Sequence, residues 1–273
     1  MKILEKEVLG EAQGIRITKL KIAASRITAK VKPGQFVVVM TEEKGERIPL
    51  TVVDKDKESI TLIFQEAGLT TKLLGRLNKG DSLYALVGPL GNPTEVKNYG
   101  KVILVAGGVG IAEIYPVCKA LKEKRNHITT ILGARTQNLL ILEEELKRVS
   151  DELYVISDDG TAGRKGFTTD ILEELLRKEK YDLVYAVGPI PMMKKASLVT
   201  QKYAVKTIVS LNALMVDATG MCGCCRVTVG NETKFSCVDG PEFDGHNVDW
   251  EELIKRNRIY EDKEKHICQL NRL

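Results

Sequence analysis

The sequence predicts a small antiparallel β-barrel, then an α/β domain on a parallel sheet, then a small C-terminal lobe carrying cysteines. Three observations point to this order. From residue 1 to about 97, short β-rich runs alternate with turns at regular spacing. From Lys101 the pattern becomes strand, glycine turn, helix, the signature of a parallel sheet covered on both faces. After about residue 212, four of the six cysteines fall between Cys222 and Cys237. The expected units are residues 1–98, 99–211 and 212–273.

In the first unit, strands are expected at Ile15–Ile22, Gln35–Met40, Leu50–Val53, Ser59–Phe64 and Ser82–Val87. One short helix, Leu69–Leu77, is expected with Thr70 or Thr71 as its cap. Arg47-Ile48-Pro49-Leu50-Thr51 sets a guanidinium and a hydroxyl on an apolar strand, a combination suited to a phosphate and the edge of a flavin ring. Gly68, Thr70 and Thr71 open a helix and could cradle a second phosphate. Taken separately, a solvated arginine and a helix cap explain the same residues.

The second unit opens with the apolar strand Lys101–Ala106, the turn Gly107-Gly108-Val109-Gly110 and a helix over Ile111–Lys124. Gly108 and Gly110 bring backbone N–H groups to a helix N-terminus, which suits a dinucleotide pyrophosphate. The third glycine of the full fingerprint is absent, because Glu113 stands in its place. Strands follow at Ile128–Leu132, Leu153–Ser157, Leu183–Val187 and Thr207–Leu211, with helices at Glu143–Arg148 and Asp170–Lys178. Arg135, after the second strand, faces either a 2′-phosphate or solvent, so NAD and NADP are not distinguished. Two further turns, one from Asp158 and one spanning Gly188, Pro189 and Met192 to Met193, end strands at the edge where open α/β sheets bind ligands. Each alone reads equally well as an ordinary connection.

In the third unit Asp217, Cys222, Cys225 and Cys237 spell D-x4-C-x2-C-x11-C. Plant-type ferredoxins wrap a 2Fe-2S cluster with C-x4-C-x2-C and a distant fourth cysteine, so Asp217 occupies the first ligand slot. Gly220 and Gly223 let the chain approach the cluster closely. Cys224 is out of register and reads as a bystander. Zinc competes for the thiolates, although structural zinc sites generally present two knuckles and only one is here. Disulfides would suit a secreted chain, and no signal peptide is evident. Strands are expected at Arg226–Val229 and Thr233–Cys237, and a helix from Val248 to the end.

Composition sets outer limits. The 41 basic and 37 acidic residues leave a net charge of +4, and no basic stripe interleaved with aromatics suggests nucleic acid. The longest apolar run, Val102 to Ile114, is broken by glycines and too short for a bilayer, so a cytoplasmic enzyme is expected. His127, His246 and His266 make no metal-ligand spacing. No acid, base or nucleophile stands out as catalytic, and hydride transfer requires none.

Barrel, nucleotide sheet and cluster lobe together resemble the ferredoxin-NADP reductase superfamily. Lys32-Pro33-Gly34-Gln35-Phe36, Arg47-x-Pro49-Leu50-Thr51, Gly88-Pro89-Leu90-Gly91 and Ala106-Gly107-Gly108-Val109-Gly110 are similar to its signatures. Within it the chain resembles the iron-sulfur flavoprotein subunits that include the dihydroorotate dehydrogenase electron-transfer subunit. Asp217 and the run from Phe235 to His246 resemble one branch, the small subunit of NADH-dependent reduced ferredoxin:NADP oxidoreductase, or sulfide dehydrogenase. Ala218 and Cys224 depart from that branch, which favours glycine and a smaller residue there.

The resemblance implies FAD on the barrel, NAD(H) on the sheet, and a 2Fe-2S cluster passing electrons to a larger subunit of a heterodimer, with ferredoxin reached through the complex. It assigns FAD to Arg47, Pro49, Leu50, Thr51, Gly68, Thr70 and Thr71, and the nucleotide to Gly108, Gly110, Arg135, Asp158, Gly188, Pro189 and Met192. Electron bifurcation between NADH, NADP and ferredoxin follows as an expectation. A dihydroorotate electron-transfer role and a redox-sensing subunit are the alternatives.

Overall fold

The computed structural model describes residues 1–263 and residue 266. The first sheet contains β1 (Ile3–Ala12), β2 (Ile15–Ala23), β3 (Phe36–Met40), β4 (Ile48–Lys55), β5 (Ser59–Gln65) and β6 (Ala85–Leu90). Their order is β1-β2-β5-β4-β3-β6, antiparallel throughout, and a Lys2–Ser82 bridge ties the first edge to the approach to the last. Short helices α1 (Ser25–Thr28) and α2 (Leu69–Arg76) lie between strands. Ile3, Leu20, Ile22, Val37, Val39, Ile60, Leu62 and Phe64 fill the barrel, as strand alternation requires.

β1 was not expected from the sequence. Its Glu5, Lys6, Glu7 and Glu11 dilute the apolar signal, yet cross-strand ion pairs to β2 (Glu7 with Lys19, Glu11 with Arg16, each at 2.9 Å) suit a solvated face. The last barrel strand also begins later than expected, at Ala85.

The second sheet holds β7 (Lys101–Gly107), β8 (His127–Ala134), β9 (Glu152–Ser157), β10 (Arg164–Lys165), β11 (Leu183–Val187), β12 (Thr207–Ser210) and β15 (Glu242–Asp244). Their order is β10-β9-β8-β7-β11-β12-β15, parallel except for the antiparallel β15. Helices α3 (Gly110–Glu123), α4 (Glu143–Val149), α5 (Thr168–Lys178) and α6 (Ile190–Lys202) cover it. The chain winds outward from β7 to β10 and then returns to β11 on the other side of β7. That reversal is the switch point where such sheets bind ligands.

Helix α6 corrects the sequence reading, which carried a turn through Met193. Pro191 sits in the first turn of the helix, where its missing N–H costs nothing. Ser197 and Thr200 share its buried face with Ile190, Met193 and Val199, which blurs the apolar period.

The hairpin of β13 (Arg226–Val229) and β14 (Glu232–Phe235) and the helix α7 (Trp250–Asn257) complete the chain. The second hairpin strand ends two residues before Cys237, which lies in a turn instead. The expected terminal helix is present over Trp250–Asn257, and residues 264–265 and 267–273 of that expectation lie outside the described residues. Cys225, Val227, Cys237, Trp250 and Leu253 join the core beneath one face of the sheet, with Val105, Val184 and Val209. Among the described residues no helix is long and apolar enough to cross a membrane.

Candidate functional site

A cleft of about 570 Å³ opens at the switch point. Its floor is the turn Gly107-Gly108-Val109 after β7, Pro189 and Met192 stand on one side, and Arg135 and Asp158 close the other. Ile15, Ile17 and Gln65 of the barrel form the facing wall. Gly108 has φ +58°, and a side chain there would project into open space, so the turn leaves room for a ligand to approach the backbone. Gly110 and Gly188 lie behind this surface. A Cβ on Gly110 would stand 2.6 Å from the Val187 carbonyl oxygen, and Gly188 has φ +152° against the backbone of Gly107.

Phe167, Thr168, Thr169, Asp170 and Lys195 also line the cleft, and sequence reasoning missed them. Phe167 is exposed at 63% although large and apolar, a surface with room for a planar ring. The Asp170 carboxylate accepts from the Phe167 N–H at 2.9 Å and fixes the start of α5. The turn from Gly166 before a capped helix was the available signal.

On the barrel, β4 carries Pro49, Leu50 and Thr51 opposite Val38, Val37 and Phe36 of β3, with Arg47 just before the strand. Gly68, not Thr70 or Thr71, is the cap of α2. Thr71 lies inside the helix and its hydroxyl accepts from the Gly68 N–H at 3.0 Å. Thr70 is buried and donates to Glu46 at 2.5 Å. A Cβ on Gly68 would meet nothing within 4 Å, so the helix start is open.

The cysteine loop winds through positive φ at Ala218 (63°), Gly220 (86°) and Gly223 (65°). Cys225 and Cys237 are buried with their Sγ atoms 3.2 Å apart, whereas Cys222 is exposed and Cys224 half-buried. Burial, reinforced by the neighbouring Cys225, pushes the Cys237 thiol up, so loading a metal there displaces protons. The Asp217 carboxylate accepts from Arg47 at 3.2 Å and from the Thr219 hydroxyl and N–H. The Thr219 hydroxyl, with lesser help from its N–H and from Arg47, holds the carboxyl below the ordinary range. The structure thus brings two of the four expected ligands together and seats Asp217 against the barrel. Among the described residues no three His, Cys, Asp or Glu side chains converge on a single-ion site.

The donor set fits an iron-sulfur cluster nonetheless. Two buried thiols sit in an apolar core, a third thiol and a carboxylate lie on the same wrapped loop, and the buried Ser236 hydroxyl beside Cys237 has no partner. Helix α7 braces the loop: Arg256 donates to the Cys224 carbonyl at 3.0 Å, and Asn257 engages Asn212 and Leu214.

One half-buried carboxylate joins the three units. Glu242 on β15 accepts from Thr94 after the barrel at 2.5 Å and from the Tyr185 hydroxyl on β11 at 2.8 Å. Burial raises its proton affinity above that of an ordinary glutamate.

Comparison with known proteins agrees with this geometry. Residues 212–249 match the iron-sulfur cluster binding domain of dihydroorotate dehydrogenase B, and residues 104–197 match an oxidoreductase NAD-binding domain. A Thermotoga maritima protein named as a homolog of the dihydroorotate dehydrogenase B (NAD(+)) electron transfer subunit is 50% identical over 94% of each chain. A solved structure of an NADH-dependent reduced ferredoxin-NADP oxidoreductase, studied for flavin-based electron bifurcation, is 48% identical with a TM-score of 0.91, covering 97% of this chain and 95% of that one. The ferredoxin-NADP+ reductase of Plasmodium falciparum shares the fold at 14% identity, with a TM-score of 0.63 over 76% of this chain and 94% of its own.

Proposed function

The chain belongs to the family of dihydroorotate dehydrogenase B electron transfer subunits and their homologues, and from that premise we propose that it exchanges hydride with NAD(H) and delivers single electrons to a larger partner subunit. It is an oxidoreductase of the ferredoxin-NADP reductase type, and its cofactors are FAD, a 2Fe-2S cluster and NAD(H). The observation that carries the reading is the meeting of all three units: the barrel walls the nucleotide cleft, and Arg47 beside the barrel strand β4 touches Asp217 on the cysteine loop.

When bound, the flavin takes two electrons as hydride and releases them singly, which matches a nicotinamide to an iron-sulfur cluster. Arg47 would hold an FAD phosphate and Thr51 the ring edge, with Gly68, Thr70 and Thr71 at the pyrophosphate and Pro49 and Leu50 against the ring. Gly108, Gly110, Gly188, Pro189 and Met192 would position the nicotinamide nucleotide, and Arg135 and Asp158 its distal end. Ile15 and Ile17 present an apolar wall on the barrel side of the cleft. Asp217, Cys222, Cys225 and Cys237 would hold the cluster. Residues 1–98, 99–211 and 212–273 serve as the flavin, nucleotide and cluster units.

The 48% identity to a structure studied for flavin-based electron bifurcation favours distribution of electrons among NADH, NADP and ferredoxin, and a heterodimer working in the cytoplasm is part of the same proposal. The relationship to dihydroorotate dehydrogenase B favours a second reading, a partner that oxidises dihydroorotate. Purification with the native partner separates them by the partner's identity. The purified complex is expected to show flavin absorbance and, on reduction by NADH, a rhombic 2Fe-2S resonance. Stoichiometric zinc without iron would overturn the reading.

A further inference from the structure

We propose that Arg47, a barrel residue, is a positioning residue for the iron-sulfur cluster: it holds the Asp217 carboxylate and sets a fixed positive charge beside it, which raises the reduction potential. This rests on Asp217 being a cluster ligand, as proposed above. Arg47 Nη1 donates to Asp217 Oδ1 at 3.2 Å, while Thr219 donates to Oδ2 through its N–H at 3.1 Å and through its hydroxyl. The two oxygens are thus held differently, one by a cation and the other by neutral donors. A carboxylate oxygen has more than one lone-pair site, so Oδ1 can accept from Arg47 and still ligate iron.

Both partners sit on backbone that is anchored on each side. Before Arg47, Glu46 accepts from the Thr70 hydroxyl of α2 at 2.5 Å, and after it Ile48 pairs with Val39 as β4 begins. Around Asp217, Met215 and Ala218 are both buried in the core. The other cations of the lobe are directed elsewhere: Arg226 donates to the Gly223 carbonyl at 3.3 Å, Arg256 to the Cys224 carbonyl at 3.0 Å, and Lys234 pairs with Glu232. Among the described residues Arg47 is the one cation paired with a candidate ligand. The barrel therefore supplies a charge to the cluster loop, and the remaining N–H groups of the guanidinium fork are left for a phosphate.

The consequence is electrostatic. Each electron passed from the reduced flavin toward the partner adds one negative charge at the loop while it resides there, with no bond made or broken. A cation hydrogen-bonded to a ligand stabilises that extra charge, so it favours the reduced form. Side-chain exposures of 50% for Arg47 and 22% for Asp217 let solvent screen the interaction, which places the effect at about tenfold in the one-electron equilibrium. An ion pair this exposed adds little to folding stability, so replacing the arginine should leave the chain folded.

The test is a mediated potentiometric titration of the purified complex, followed by electron paramagnetic resonance, for wild type, Arg47→Gln and Arg47→Lys, with iron, sulfide and flavin assayed on the same samples. Arg47→Gln is expected to keep iron and sulfide and to lower the cluster midpoint by about tenfold in the one-electron equilibrium, about 59 mV. Arg47→Lys keeps the charge and should stay within about threefold of wild type. Should Arg47→Gln shed flavin, wild type stripped of flavin is its reference, which separates the charge of Arg47 from that of a lost phosphate. A midpoint in Arg47→Gln equal to its reference overturns the proposal, as does an equal fall in both variants. If Arg47→Gln takes up no cluster, a tenfold fall in Arg47→Lys overturns it, and a midpoint kept there supports it. A wild-type protein without iron and sulfide would instead refute the cluster assignment, a separate result read from metal analysis alone.

Discussion

The Arg47 guanidinium donates to the Asp217 carboxylate at 3.2 Å, across 170 positions of sequence, and so links the proposed flavin strand to the proposed cluster loop. If Asp217 is an iron ligand, Asp217→Cys replaces an oxygen by a sulfur without changing formal charge. The variant is expected to assemble a cluster with an altered midpoint potential. Potentiometric titration followed by electron paramagnetic resonance checks it, and an unchanged potential would remove Asp217 from the ligand set.

Cys237 and Cys224 should behave differently although both lie in the loop. Cys237 is buried against Cys225, whereas Cys224 is half-buried and the loop's tie to Arg256 runs through its backbone carbonyl. Cys237→Ser is expected to lose iron and sulfide while retaining flavin. Cys224→Ser should retain both, as iron and flavin assays on the purified variants will show.

At the nucleotide turn, Gly110→Ala would place a methyl 2.6 Å from the Val187 carbonyl oxygen, against backbone that cannot step aside. A loss of about 1–3 kcal/mol is expected from overpacking, together with a raised KM for NADH. Gly108→Ala meets open space but must hold φ +58°, and should cost only about 1 kcal/mol. Denaturant midpoints separate the two.

Ala218 is buried at φ +63°, a backbone region costly for any residue with a Cβ. Ala218→Gly relieves about 1–2 kcal/mol of that cost and forfeits about 0.8 kcal/mol of methyl burial, so stability should hold or rise slightly. Ala196→Gly, in the interior of α6, should instead lose about 1–2 kcal/mol. Thermal melts separate the two variants, with a fall expected only for Ala196→Gly.

Glu242 predicts a pH dependence. Burial raises its folded proton affinity, so its favourable contribution is complete below the unfolded glutamate value of about 4.3 and is lost as pH climbs through the raised folded value. Glu242→Gln keeps an oxygen for Thr94 and Tyr185, and should flatten that decline in urea midpoints measured from acid to neutral pH. Glu242→Ala leaves two hydroxyls without an acceptor and should cost about 1–3 kcal/mol at any pH.

Much of this was legible in the chain because it is local. The run Lys101–Gly110 announces a strand, a glycine turn and a helix, and Arg135 and Asp158 could be placed at the cleft because each follows a strand. Lys195 could not, since only the packing of α6 brings it to the same cleft. Gly34 shows why some motif residues resist explanation from sequence. It has φ +81°, and a Cβ there would fall within 2.6 Å of both Thr94 Oγ1 and Glu242 Oε1, a conflict between residues 60 and 208 positions apart in the chain from it. The pairing of Arg47 with Asp217 is equally tertiary.

Strand β15 comes from the cysteine-bearing end of the chain yet is hydrogen-bonded into the nucleotide sheet beside β12. A redox carrier on a swinging tether must search for its donor at every turnover. Here the tether is a rung of the sheet itself, with Glu242 as its bolt. With the cluster held on this loop as proposed, its place relative to the nucleotide sheet would be set by the hydrogen bonds of β12 and β15.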